Sequence, residues 1–192
     1  MLKPQWLLPL IVVLLLSTTH AAAASSESAD AAATSHTIRT SRGYVARIGA
    51  FRIRRDPTIG AAIRVFGQPT SRNLRSGGTC QVAWRRLRLR INFENFGGTL
   101  PGETTCSSSV GRAQSFTARG RSFRTWEGLR VGHRSASIPD RHNSAEFRRG
   151  SWWLRTAVSP FGDGETEYAV VAAIVSNGRV RVLRGWIGAA GE

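Results

Sequence analysis

The stretch Thr79–Phe93, TCQVAWRRLRLRINF, decides the fold. Cys80, Val82 and Trp84 alternate with Gln81 and Ala83, while Leu87, Leu89, Ile91 and Phe93 alternate with Arg88, Arg90 and Asn92. Strict alternation sends one set of side chains to a core and the other to solvent, the pattern of a half-buried strand. Arg85-Arg86 supplies a tight connection, so 79–84 and 87–93 are expected to form a hairpin. Its outer face carries Arg88 and Arg90.

Upstream, Ile59, Ile63 and Phe66 make one apolar stripe at helical spacing, with Pro57 in a first-turn position and Gly67 and Pro69 beyond. The spacing predicts a short helix over 57–66, with Asp56 the simpler N-cap and Thr58 the alternative. Downstream come a turn-rich link, Asn95–Gly102, a strand over 113–119, and a weak helical stretch between Ser135 and Phe147 that Pro139 and Asp140 interrupt. Extended segments follow at Trp152–Val158, Tyr168–Val175 and Val180–Leu183. Gly162, Asp163 and Gly164 mark a loop, and Asn177-Gly178 is a two-residue hairpin signal. Trp186 and Ile187 are placed over the open end of the core. The expected class is α+β, an antiparallel sheet with short helices packed on one face. Two tandem helix-plus-meander repeats, 37–120 and 121–192, stand as an open alternative to an unrepeated domain, since GAFRI…GAAIRVFG loosely answers GLRVG…AEF.

The N-terminus predicts export. Lys3, the apolar run Trp6–Leu16 and Ala21-Ala22-Ala23-Ala24 have the order of a secretory signal peptide over 1–24. The run falls short of the roughly 20 residues a membrane span needs. Residues 25–36, SSESADAAATSH, read as a flexible spacer, and 37–192 as one domain. In an oxidising compartment Cys80 and Cys106 are expected to form one disulfide. Two cysteines are too few for a closed thiolate zinc site, and no cysteine after the signal core offers a lipid anchor.

Two short segments carry a family resemblance. Thr125–Gly132, TWEGLRVG, precedes the weak helical stretch, and Asn177–Leu183, NGRVRVL, closes the last strands. On these pieces the chain resembles the beta-lactamase inhibitory protein superfamily and the single-repeat modules of small outer-membrane assembly lipoproteins. The resemblance implies a non-enzymatic domain that holds another protein on a sheet or helix-edge surface. It carries over no binding residue, and the chain departs from the lipoprotein pattern in lacking a lipidated cysteine and in Pro139.

Charge is the other strong signal. Lys and Arg total 27 against 12 acidic residues, a net charge of +15, and Lys3 is the only lysine. Arginine's planar fork suits carboxylates and phosphates, although coding bias toward Ala, Gly and Arg accounts for the same composition. The arginines cluster: Arg85, Arg86, Arg88 and Arg90; Arg119, Arg121, Arg124 and Arg130; Arg148-Arg149 before Trp152-Trp153; and Arg179, Arg181 and Arg184. Adjacent Trp152 and Trp153 point to opposite faces of a strand, which places one in the core and leaves the other either an exposed anchor or a ring covered by a helix or loop.

Catalytic signatures are missing from the sequence: no GxSxG, GxxxxGK[ST] or HExxH occurs. His133, His142 and Asp140 sit in turn-like surroundings and read as solvent-exposed. Asp163, Glu165 and Glu167 read as a solvated loop, and no spacing selects a pair from Glu94, Glu103, Glu127 and Glu146. No catalytic residue, metal or cofactor is therefore expected. The expected function is a secreted or envelope-associated protein-binding module, contacting an unidentified envelope or extracellular protein through Arg88, Arg90, Arg148, Arg149 and Trp153. The alternative is a salt-sensitive binder of anionic envelope polymers or a membrane surface, and the third is a hydrolase without a signature. Neither a specific nucleic acid nor a transmembrane span after signal removal is expected.

Overall fold

A computed structural model describes residues 35–41, 43–95, 103–159 and 166–187. The expected signal segment 1–24, residues 25–34 of the spacer, the Gly162–Gly164 loop and most of the Asn95–Gly102 link lie outside the described residues. The described chain begins with strands β1 (His36–Ser41), β2 (Tyr44–Ile48) and β3 (Phe51–Arg52), then helix α1 (Ile59–Phe66). A meander follows: β4 (Ser71–Leu74), β5 (Cys80–Trp84), β6 (Leu89–Glu94) and β7 (Arg112–Ala118). The chain continues through β8 (Phe123–Thr125) and α2 (Ser137–Arg141) into a second meander: β9 (Glu146–Arg148), β10 (Ser151–Ser159), β11 (Thr166–Ser176) and β12 (Arg179–Trp186).

The fold is α+β, with a mostly antiparallel sheet and two short helices packed on it. The large sheet has eight strands in the order β4-β5-β6-β7-β12-β11-β10-β9. Each half thus contributes a helix and a four-stranded meander, and the last strands of the two meanders pair with each other. A small sheet, β3-β2-β1-β8, joins β8 to β1 in parallel and the rest antiparallel. Together these explain how two short meanders hold one core: each is only half as wide as the sheet that covers it.

The alternation in 79–93 plays out as expected. Cys80, Val82, Trp84, Leu89, Ile91 and Phe93 all face the core, and the last three are at most 1 % exposed. Burying each such side chain contributes about 1.5–3 kcal/mol. The connection is longer than Arg85-Arg86, running 85–88 and closed by an Arg88 N–H to Arg85 carbonyl bond of 3.0 Å. Leu87 consequently belongs to the turn and β6 starts at Leu89.

Helix α1 starts at Ile59 because Thr58, and not Asp56, caps it: the Ala61 N–H donates to Thr58 Oγ1 at 3.2 Å. Asp56 stands behind the cap and accepts the Thr58 hydroxyl at 2.6 Å. The C-terminal Phe66 then meets His36, Phe51 and Trp84 edge-on at ring separations of 5.4–5.9 Å. Trp84 Nε1 donates to the Gly67 carbonyl at 2.7 Å, tying the end of the helix to β5. His36, expected in the spacer, is instead the first residue of β1, 6 % exposed and stacked on Phe123. Its ring is a flat partner for phenyl groups, which the polar neighbours in sequence conceal.

The weak helical stretch shrinks to α2. Pro139 is its third residue, within the first turn, where amides have no intrahelical acceptor, so the ring is tolerated. Ala145 lies beyond the helix, Phe147 in β9, and Ile138 alone of α2 is buried. Asn177-Gly178 makes the expected hairpin turn, with φ of 52° and 65°. Ile187 is covered at 1 % exposure, whereas Trp186 is 43 % exposed in β12 instead of closing the core.

Cys80 and Cys106 form the expected disulfide, with Cα atoms 5.1 Å apart. It closes a sequence separation of 26 residues. Replacing both with serine is expected to cost about 3 kcal/mol in urea unfolding, and an unchanged midpoint would show that the loop is held otherwise. At the centre of the large sheet, a methyl group on Gly185 would strike the Phe116 ring and stand 2.7 Å from the Val170 carbonyl oxygen. Gly185→Ala is therefore expected to lower stability by about 1–3 kcal/mol in the same measurement.

Candidate functional site

The outer face of the large sheet is written by register. Arg90 pairs with Thr117 and Thr117 with Arg184, so these three share a row across β6, β7 and β12. One step toward the turn, the Arg119 N–H donates to the Arg88 carbonyl at 2.9 Å, placing those two residues side by side. The 131–133 segment closes over this end: Gly132 N–H donates to the Val180 carbonyl at 2.7 Å, and Val180 N–H returns a bond to the His133 carbonyl at 2.9 Å.

Between these parts lies a cleft of about 640 Å³ lined by Arg88, Arg119, Arg121, Arg179 and Arg181, with Val131 and Val182 among its apolar walls. Arg179 Nη1 donates to the Gly132 carbonyl at 3.0 Å and Arg181 Nε to the Ser176 carbonyl at 3.3 Å. These bonds aim two guanidinium groups without neutralising them. Among the described residues no carboxylate lines the cleft, and no ion pair involves any of the five arginines. Like charges at close quarters repel one another, and an anion placed between them gains from all. Arginine adds the paired donor geometry that fits phosphate, sulfate and carboxylate oxygens.

The residues expected at a partner surface divide. Arg88 lines the cleft and Arg90 lies exposed on the adjoining row. Arg148, Arg149 and Trp153 lie on another part of the sheet. Trp153 does face away from Trp152, since it pairs with Ala172 while Trp152 pairs with Ala173. It is nevertheless 7 % exposed, with the Arg148 and Arg149 guanidinium groups 5.6 and 5.9 Å from its ring. Arg148 is also bound by Glu146 and Glu167. Hydrogen bonds from Thr156 and Arg148 hold the Glu167 carboxyl below its ordinary pKa. This cluster covers its own tryptophan, so Trp153 is not an exposed anchor.

Arg119, Arg121, Arg179 and Arg181 were visible in sequence only as flanking charges. Parity within strands assigns Arg119 to a face, but its place beside Arg88 comes from the β6–β7 register, and nothing local brings β12 alongside β7. His142 is the other departure. It is 1 % exposed rather than solvent-facing, because its backbone N–H bonds back to Ile138 at 2.8 Å and turns the ring against Trp126 at 4.8 Å. Glu127 Oε2 lies 2.7 Å from Nδ1, and Thr125 Oγ1 lies 2.8 Å from Nε2. The Glu127 carboxylate can only accept, which assigns the proton of the neutral ring to Nδ1 and leaves Nε2 to accept from the Thr125 hydroxyl; that hydroxyl also accepts the Leu129 N–H at 3.1 Å. The hydroxyl–imidazole–carboxylate order is that of a nucleophile relay. Thr125, however, is 0 % exposed, so the line clamps β8 to α2 and offers no nucleophile to a substrate.

Among the described residues, no group of three or more His, Cys, Asp or Glu side chains is placed to hold a metal ion. Nor is any described helix long and apolar enough to cross a membrane.

Burial lowers the pKa of His142 below 6.5, with Arg141 adding to this and Glu127 opposing it. The unfolded chain therefore binds more protons than the folded one below that value. Stability is fully present above pH 6.5 and falls as the pH drops toward the folded pKa. His36 and His133, both lowered first by burial, contribute with the same sign. His142→Gln is expected to reduce stability at neutral pH by about 1–3 kcal/mol and to flatten the acid limb of unfolding midpoint against pH. An acid limb as steep as in the unsubstituted chain would remove His142 from this role.

Comparison with family models, with curated proteins and with solved structures finds no match for this chain.

Proposed function

We propose that this protein is a non-enzymatic, extracytoplasmic module that binds anionic polymers through the arginine cleft. The observation that carries this reading is the convergence of five arginines from three separate sequence clusters around one cleft, with no carboxylate among the described residues of its lining. The signal-like 1–24 segment and the Cys80–Cys106 disulfide support a place outside the reducing cytoplasm. The cleft argues for the anionic-ligand alternative over a protein-binding surface centred on Trp153, because that cluster's charges and ring are already engaged with each other.

A protein partner keeps one supporting feature. Phe147 is 62 % exposed on the edge strand β9 and packs edge-on against Trp152 at 5.8 Å. The resemblance to protein-holding domains points to such an edge surface, where an apolar ring anchors a partner.

Tripolyphosphate provides a short probe for the cleft. Calorimetric titration of the oxidised full chain is expected to show binding that weakens steadily with added salt. Joint replacement Arg119→Ala and Arg121→Ala removes two charge-assisted contacts and is expected to weaken it at least about tenfold. Arg155→Ala, outside the cleft, should leave it unchanged. Equal affinity in the double variant, or no salt dependence, would overturn the assignment.

A further inference from the structure

The arginine cleft opens onto a surface that continues along the strands. On the outer face of β6, β7 and β12 three rows follow one another at steps of two residues. The first holds Arg88 and Arg119 at the cleft. The second holds Arg90, Thr117 and Arg184, with both arginines exposed. The third holds Asn92, Ser115 and Trp186. Each step spans about 7 Å, so the path from cleft to Trp186 covers about 14 Å. No carboxylate occurs in the three rows.

The far end differs in chemistry from the cleft. Trp186 is 43 % exposed beside a ladder of neutral polar groups. Asn92 Nδ2 donates to Ser115 Oγ at 3.0 Å, Gln81 Nε2 donates to Asn92 Oδ1 at 3.3 Å, and Arg75 Nη2 donates to Gln81 Oε1 at 2.8 Å. These bonds fix the amide planes, so their remaining donor and acceptor positions are set before any ligand arrives. A path that begins with clustered guanidinium groups and ends with one indole among oriented amides suits a chain carrying both anions and hydroxyl-rich rings with an apolar C–H face.

Resting on the reading of the cleft as an anion site, we infer that the polymer is an acidic glycan, bound lengthwise along β6, β7 and β12. Its carboxylate or sulfate groups occupy the cleft and the Arg90–Arg184 row, and a pyranose ring stacks on Trp186. Single-stranded nucleic acid meets the same charges, but its binders stack successive bases on repeated aromatic platforms. This strip offers one exposed aromatic residue, since Trp153 on the same face lies under Arg148 and Arg149. Neutral amides and a serine hydroxyl beside the indole match sugar hydroxyls, which bases do not carry.

The test titrates the oxidised full chain with oligogalacturonates of increasing length, with tripolyphosphate as the short cleft probe and oligothymidylate as the nucleic-acid comparator. Affinity for oligogalacturonates is expected to climb with length and level off once one chain reaches from the cleft to Trp186. Trp186→Ala is expected to weaken the long oligomers about tenfold while leaving tripolyphosphate binding and the unfolding midpoint unchanged. Trp186→Phe should restore most of the loss, and Arg184→Gln should affect only oligomers long enough to reach its row. Unchanged long-oligomer affinity in Trp186→Ala, with tripolyphosphate still bound, would overturn the lengthwise path and leave the cleft standing. Tighter, Trp186-dependent binding of oligothymidylate would replace the glycan with nucleic acid. Failure of tripolyphosphate to bind the unsubstituted chain would remove the anion site itself.

Discussion

The pairing of β7 with β12 is the constraint on which the rest of this structure depends. It joins the last strand of each meander, turning two narrow sheets into one that is eight strands wide. The seam requires Phe116 and Val170 to approach the Gly185 backbone more closely than a side chain permits. It also aligns Arg119 and Arg121, which follow the first meander, with Arg179 and Arg181, which begin the final strand of the second. Neither half contains the cleft alone. The site is a property of the join.

The two faces of this sheet solve different problems. The inner face gathers residues of both meanders, the small sheet and both helices into one apolar cluster. The outer face carries arginines whose long aliphatic stems can shield apolar groups while their charged ends stay wet. Trp153 shows the result, nearly buried beneath the Arg148 and Arg149 side chains. Such a surface adds self-repulsion in a chain of net charge +15. The core and the Cys80–Cys106 staple must hold the fold together against it.

Local patterns were legible and distant meetings were not. Alternation around Cys80–Phe93, the Ile59–Phe66 stripe and the Asn177-Gly178 turn each have a cause within a few residues, and each is realised. The cysteine pair was legible because only one pairing exists. Thr58 prevailed over Asp56 because the cap depends on which oxygen reaches the Ala61 amide, a matter of geometry rather than residue type. His36 and His142 look polar in sequence, but Phe123 and Trp126 reach them from elsewhere in the chain. The cleft was legible as three groups of charges; their convergence required the β7–β12 register. Which of its two alternatives Trp153 takes was hidden for a similar reason: the ring is covered, and Glu146 and Glu167 fix Arg148 beside it from two different strands.

Arg88 sits at φ 54°, a left-handed conformation that glycine or asparagine adopts at lower cost. Selection for heat resistance alone would therefore favour replacing it, although its guanidinium is one of five at the cleft. A stabilised descendant obtained that way would keep its sheet and lose part of its charge recognition. At this turn, durability and recognition favour different residues, and screening for either one alone would misjudge the position.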